Sequence, residues 1–109
     1  MSLKRIARRP RANRDIDEAI DHYLKEAGQE AALGFLDALE RAYRHIARHP
    51  ASGSPRYGQE LDLPGLRSWP LRRYPYLILF FERADHIDVV RILHAERDIP
   101  AHMREGADR

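Results

Sequence analysis

The residues from Leu66 to Asp98, LRSWPLRRYPYLILFFERADHIDVVRILHAERD, constrain this chain more than any other stretch. They read as three short strands in succession, the last two apolar on both faces. Side chains alternate along a strand. In Tyr76–Glu82 one face therefore carries Leu77, Leu79 and Phe81, and the other Tyr76, Ile78 and Phe80. In Ile87–His94 the same alternation puts Ile87, Val89 and Leu93 on one face and Val90 and Ile92 on the other. A sheet of such strands needs cover on both sides. The rest of the chain supplies helices for one side only, which leaves the second face for a partner and points to a binding protein.

Those helices lie upstream. Leu3–Arg9 is a short, basic, weakly alternating segment that suits a first strand at a sheet edge. Pro10 follows, tolerated in a first helical turn because its missing N–H is no loss there. Asp15, Asp17 and Glu18 favour the positive end of a helix, and Ile16, Ala19, Ile20, Tyr23, Leu24 and Ala27 form one apolar stripe. Gly28 stops it. A second helix runs from Gln29 to His49 on the stripe Ala32, Phe35, Leu36, Leu39, Ala42, Tyr43 and Ile46, with cations near its carboxyl end and Pro50 beyond. Two amphipathic helices joined at one glycine make an antiparallel hairpin.

Ala51–Gly65 reads as a long connection rich in glycine, proline and serine. Strand two spans Leu66–Arg72, with Pro70 and Pro75 marking it as an edge. Ala84-Asp85 turns the chain between strands three and four, Arg97–Met103 forms a short terminal helix, and residues 1–2 and 104–109 fray. The expected fold is one α+β domain in two layers, β-α-α-β-β-β, with the hairpin on one face of a mostly antiparallel four-stranded sheet. Strand three sits within the meander, strand two runs antiparallel to strand one, and strand one lies at an edge that the sequence does not specify.

The chain has 109 residues, no cysteine and no run near the roughly 20 apolar residues that span a bilayer. Arg8-Arg9 is followed by charged residues rather than an apolar segment, so an export signal is not expected. Without disulfides or thiolate chemistry, a cytosolic protein fits. Only Lys4 and Lys25 are lysines among 19 basic residues, and the first fourteen residues hold six cations and no acid. That run lacks interleaved aromatics or a DNA-binding motif, so it reads as a solvated edge with no sequence-specific nucleic-acid contact.

His45 and His49 stand at i and i+4, a metal-ligand spacing, but no third ligand accompanies them, and no metal or cofactor is expected. Trp69 reads either as an interface anchor or as a core aromatic against the hairpin. Arg72-Arg73-Tyr74 reads as a grip for phosphate or acidic groups, or as a solvated turn. His94 reads as a hydrogen-bonding residue where the chain leaves the sheet, with Arg97 and Asp98 as a local ion pair.

The helices ending in His49-Pro50, the Gly53-Ser54-Pro55-Arg56 turn, the Leu66-Arg67-Ser68-Trp69-Pro70 strand and the His94-Ala95-Glu96-Arg97-Asp98 ending, in that order, resemble the RelE/ParE toxin superfamily, and within it the ParE-type toxins. The resemblance covers about Leu3 to Ala101. It implies a toxin encoded beside a ParD-like antitoxin, whose tail crosses the toxin, and a free protein that binds DNA gyrase or a related topoisomerase rather than acting as an enzyme. On the apolar sheet, the residues expected to meet the antitoxin are Trp69, Leu71, Leu77, Leu79, Phe81, Val89, Arg91 and Leu93. Those expected to meet the target are Arg72, Arg73, Tyr74, His94 and Arg97. The RelE-type branch instead cleaves ribosome-bound messenger RNA, and in that alternative His94, Arg72, Arg91 and Tyr74 would carry the chemistry. Some RNases of that branch carry a histidine near the corresponding strand end, usually next to a tyrosine, whereas the neighbour of His94 here is Ala95. A third alternative is a degenerate toxin that keeps only antitoxin binding.

Overall fold

The computed structural model describes residues 3–107, with side chains as far as Arg104. Residues 1, 2, 108 and 109, expected to fray, lie outside the described residues. Strand β1 (Arg5–Arg8) leads into helix α1 (Pro10–Glu26), and α2 (Gln29–Arg48) follows. Gly28 between the helices takes φ +95, a left-handed conformation open to glycine at little cost. The sheet order is β1-β4-β3-β2, from β2 (Leu66–Pro70), β3 (Tyr76–Glu82) and β4 (His86–His94). The α+β class and the helical hairpin are as expected.

The direction of β2 is not as expected. β1 pairs parallel with β4, and both β2 and β4 are antiparallel to β3, so β1 and β2 run the same way. The reason lies in the connection after α2, which is a structured crossing rather than a plain loop. A 3-10 turn (Pro50–Ser52) brings the chain to the outer edge of β2, where Ser54 pairs antiparallel with Ser68. A five-residue helix, α3 (Arg56–Glu60), then packs on the far face of the sheet, and β2 begins from there. Gly58 is needed at this crossing. A Cβ there would stand 2.6 Å from the Leu66 carbonyl oxygen.

A second difference concerns the faces of β4. A β-bulge interrupts the β3–β4 register between Leu79 and Phe80, pairing Leu79 with Arg91 and Phe80 with Val89, and leaving Val90 as the extra residue. One extra residue inverts the alternation beyond it. Ile92 therefore joins Ile87 and Val89 on the hairpin side, whereas Leu93 joins Val90 on the other.

The third difference matters most. The second face is sealed by the chain itself. Leu66, Leu79, Val90 and Leu93 form a buried cluster with Ile99 and Met103, and Tyr57, Leu61 and Leu63 pack against it. The covering elements are α3 and α4, the latter running Ile99–Ala107 and thus starting later and reaching further than expected. The uncovered apolar sheet face required by the sequence reading does not exist.

Candidate functional site

The residues expected to meet a target converge on one end of the sheet. Arg72 and Arg73 are exposed in the β2–β3 turn, and Arg97 is exposed just after β4. The Ala95 N–H donates to the Pro75 carbonyl at 2.7 Å, which ties the exit of β4 to that turn. Arg73 takes φ +71, a left-handed conformation strained for a residue with a side chain. Strain of this kind gathers at ligand-contacting turns. None of the three arginines forms an ion pair among the described residues.

Tyr74 is held rather than free. Its hydroxyl donates to the Ala31 carbonyl of α2 at 3.1 Å, and its ring meets Tyr23 and Phe35 edge-on at 5.2 and 5.9 Å. Gly34 makes this possible, because a Cβ there would overlap the Tyr74 hydroxyl. His94 is half-buried with its ring edge-on to Tyr76 at 5.2 Å, and its Nδ1 accepts from the Glu96 N–H at 3.2 Å. The expected Arg97–Asp98 pair is replaced by separate roles. The Arg97 N–H donates to the His94 carbonyl, and the Asp98 carboxylate accepts from the Ala101 N–H at the start of α4.

Beside this end lies a cleft of about 190 Å³ lined by Glu18, His22, Tyr76, His94 and Arg97, with Asp15 and Ile92 at its floor. It opens because β1 pairs with β4 only as far as Val89. Burial raises the Tyr76 phenol above its usual value, Arg97 opposes this, and Glu18 adds to it. Sequence reasoning missed Glu18, His22 and Tyr76 as neighbours of His94. They share no local motif, and only the packing of α1 on β4 assembles them.

Arg91, expected at the antitoxin surface or in a catalytic set, is 1% exposed. Its Nε and Nη2 donate to the two carboxylate oxygens of Asp15 at 2.8 and 2.9 Å, and its Nη1 donates to the His102 carbonyl at 2.8 Å. Asp15 also accepts from the Ile92 N–H at 3.0 Å. This buried fork joins α1, β4 and α4 and satisfies the strand edge where β1 has ended. Of the four residues named for the RNase alternative, Arg91 is thus buried and the Tyr74 hydroxyl is committed to the Ala31 carbonyl.

The antitoxin residues separate in the same way. Leu71 and Val89 are buried under the hairpin with Trp69 packed beside them, whereas Leu79 and Leu93 are buried under α3 and α4. Leu79 and Val89 are both 0% exposed and on opposite faces, so they share no surface. Leu77 and Phe81 are half-exposed, and Arg83 lies over the Phe81 ring at 4.5 Å. Trp69 stacks on His45 at 4.1 Å, the core-aromatic alternative. His45 also hydrogen-bonds the Ser52 hydroxyl at 2.9 Å. The large apolar residues left exposed are elsewhere: Leu3 (54%), Leu24 (49%), Leu33 (56%) and Leu36 (36%). Leu24 and Leu36 belong to the expected helix stripes but lie at their outer margin.

Known proteins bear on this arrangement at both levels. A family model described as the ParE toxin of the type II toxin–antitoxin system, parDE, matches residues 6–99. This chain belongs to the ParE toxin family. A solved chain from the chromosomal ParDE toxin–antitoxin system of P. aeruginosa is 24% identical to this ParE-family chain, covers 86% of it and 98% of itself, and superposes with a TM-score of 0.72, which establishes the shared fold. No curated protein matches significantly. No described helix of this toxin is long and apolar enough to cross a membrane.

Proposed function

We propose that this ParE-family toxin arrests growth in the cytoplasm by binding DNA gyrase or a related topoisomerase, without covalent chemistry of its own, and that a ParD-like antitoxin silences it. The observation that carries this reading is the set of cations Arg72, Arg73 and Arg97 at one sheet end, without ion-pair partners among the described residues, on a chain whose ParE family match spans residues 6–99. Arginine forks suit carboxylates and phosphates, both abundant where a topoisomerase holds DNA. The strained turn at Arg73 and the locked Tyr74 hold this end in a fixed shape, so little ordering is needed on binding.

The test uses purified toxin in a gyrase supercoiling assay. Wild type blocks supercoiling, and the double variant Arg72→Glu, Arg73→Glu loses at least tenfold in potency while keeping its circular dichroism spectrum. Untouched supercoiling together with cleavage of ribosome-bound messages would replace this reading with the RNase one. Tight antitoxin binding without any growth defect would mark a toxin that has lost its activity.

A further inference from the structure

The cleft beside the arginine end holds opposite charges that do not meet. Glu18 lines it from α1 and Arg97 from the exit of β4, and both side chains are exposed. Each acts on the Tyr76 phenol, in opposite senses, so both charges bear on the same wall of the cleft. Neither forms an ion pair among the described residues. The backbone adds an unused donor. Ala95 turns its N–H to Pro75 and Ile92 turns its N–H to Asp15, so the His94 N–H shares the Ile92 edge of β4 and faces the cleft. No described group accepts from it. The His94 ring is also set to donate, because its Nδ1 accepts from the Glu96 N–H and the neutral ring then carries its proton on Nε2.

Size, rings and charge define the guest. A volume of about 190 Å³ falls below the roughly 300–1,000 Å³ of sites that enclose a drug-sized ligand. One planar ring system suits it better than a whole cofactor. Among the described residues no three His, Asp or Glu side chains group so as to hold a metal ion. The rings of His22, Tyr76 and His94 line the walls, and side chains of this kind stack unpaired bases in single-strand sites. The opposed charges call for one edge that donates twice and another that accepts. Of the four DNA bases, guanine answers. Its N1–H and 2-amino group are adjacent donors for a carboxylate, which only accepts, and its O6 and N7 are adjacent acceptors for an arginine fork. Adenine and cytosine each set a ring-nitrogen acceptor beside the amino group, and thymine offers one N–H between two carbonyls.

We propose that this cleft takes one unpaired guanine of a DNA strand. Glu18 accepts from its N1–H and amino group, while Arg97 and the His94 N–H donate to O6 and N7. Arg72 and Arg73, exposed at the same sheet end, take the phosphates on either side of the base. The two charges that stand apart in the free toxin are then both satisfied by one flat guest. This assignment rests on the topoisomerase reading only for where the DNA comes from, and it names what the arginine end holds there.

The probe is a fluorescein-labelled pentadeoxynucleotide, a central guanine flanked by thymidines, titrated into the intact chain and followed by anisotropy. It binds about tenfold or more tightly than strands with adenine, cytosine or thymine at the centre. A central hypoxanthine, which lacks the 2-amino group, loses about tenfold against wild type, and Glu18→Ala removes that difference. Arg97→Ala weakens the guanine strand by about tenfold or more. Both variants lie at exposed positions and keep the wild-type circular dichroism spectrum. Arg72→Glu and Arg73→Glu together weaken all four strands alike and reduce the salt dependence of binding. Guanosine monophosphate competes about tenfold more weakly than the strand, having no flanking phosphates to place on those arginines. Competition at equal strength would assign the cleft to a free nucleotide and overturn the strand assignment. Equal binding of all four central bases, a hypoxanthine penalty that survives Glu18→Ala, tighter binding of the RNA analogue, or absence of binding would each overturn the proposal. These titrations use the toxin alone. A toxin that blocks supercoiling without base preference sinks the guanine assignment and spares the topoisomerase reading. Guanine preference in a toxin that leaves supercoiling untouched does the reverse.

Discussion

The two faces of the sheet are sealed by different means. On one, two long helices lay Phe35, Leu39, Tyr43 and Ile46 against Ile78, Phe80, Ile87, Val89 and Ile92, reinforced by the Tyr23, Phe35, Tyr74 and Tyr76 rings. On the other, the five-residue α3 and the terminal α4 bring Tyr57, Leu61, Ile99 and Met103 onto Leu66, Leu79, Val90 and Leu93. Helices this short have little stability apart from what they pack against. The hairpin cover has two long helices that pack on each other as well as on the sheet, whereas the second cover rests on short elements, and it is expected to open more readily. The Asp15–Arg91 fork is the strut between them, since it reaches α1 on one side and the His102 carbonyl of α4 on the other. An apolar strand face is therefore a poor guide to a binding surface until the short elements around it have been placed.

Four measurements separate the two covers. The largest effect is expected from a charge in either core: Leu79→Asp and Val89→Asp should each cost several kcal/mol and abolish the near-ultraviolet dichroism. A folded Leu79→Asp domain would show that the second face is not a true core. Next, Asp15→Ala leaves the Arg91 guanidinium buried without its counter-charge and should cost about 3–5 kcal/mol in denaturant melts. If α1 alone loosens and α4 keeps its exchange protection, the strut joins less than its geometry suggests.

Met103→Ala should cost about 2–5 kcal/mol and raise exchange in α4 and β4 before the hairpin responds. Uniform loosening of both faces would mean that the covers melt together. The smallest effect concerns pH and the hairpin face. Burial pushes the Tyr43 phenol up to about 12, with Arg8 opposing. The folded state therefore holds that proton more tightly than the unfolded chain. Its contribution is complete below pH 10 and is lost as pH rises from about 10 to 12, roughly 2–3 kcal/mol in all. Tyr43→Phe should flatten that alkaline loss in melts taken across the range.

Much of the hairpin side was legible because long periodic helices announce themselves. α2 ends one residue from its expected limit, β3 spans Tyr76–Glu82 as read, and Phe35, Leu39 and Ile46 are core as expected. The second cover was poorly legible. Tyr57 in α3 and Leu61 just after it are a single apolar pair at i and i+4, too short a signal to separate from a loop, and the terminal helix expected over Arg97–Met103 was not read as docking its own pair, Ile99 and Met103, on the sheet. The spacing was nevertheless present, and pairs of that kind beside a doubly apolar sheet are the clue that could have found the cover. The candidate target site was partly legible. Arg72, Arg73, Tyr74, His94 and Arg97 meet at one end, whereas Glu18, His22 and Tyr76 joined them only through packing.

Local pattern alone decided the two long helices and the strands, because backbone period and side-chain polarity act within a few residues. It also marked both faces of β3 as apolar. Tertiary structure decided what covers them, since the bulge at Val90, the parallel run of β1 and the joining of Asp15 to Arg91 depend on residues far apart in the chain. Contacts of that range carry no local signature. Their energy appears only when the elements meet, and for this toxin that meeting turned an expected docking face into a core.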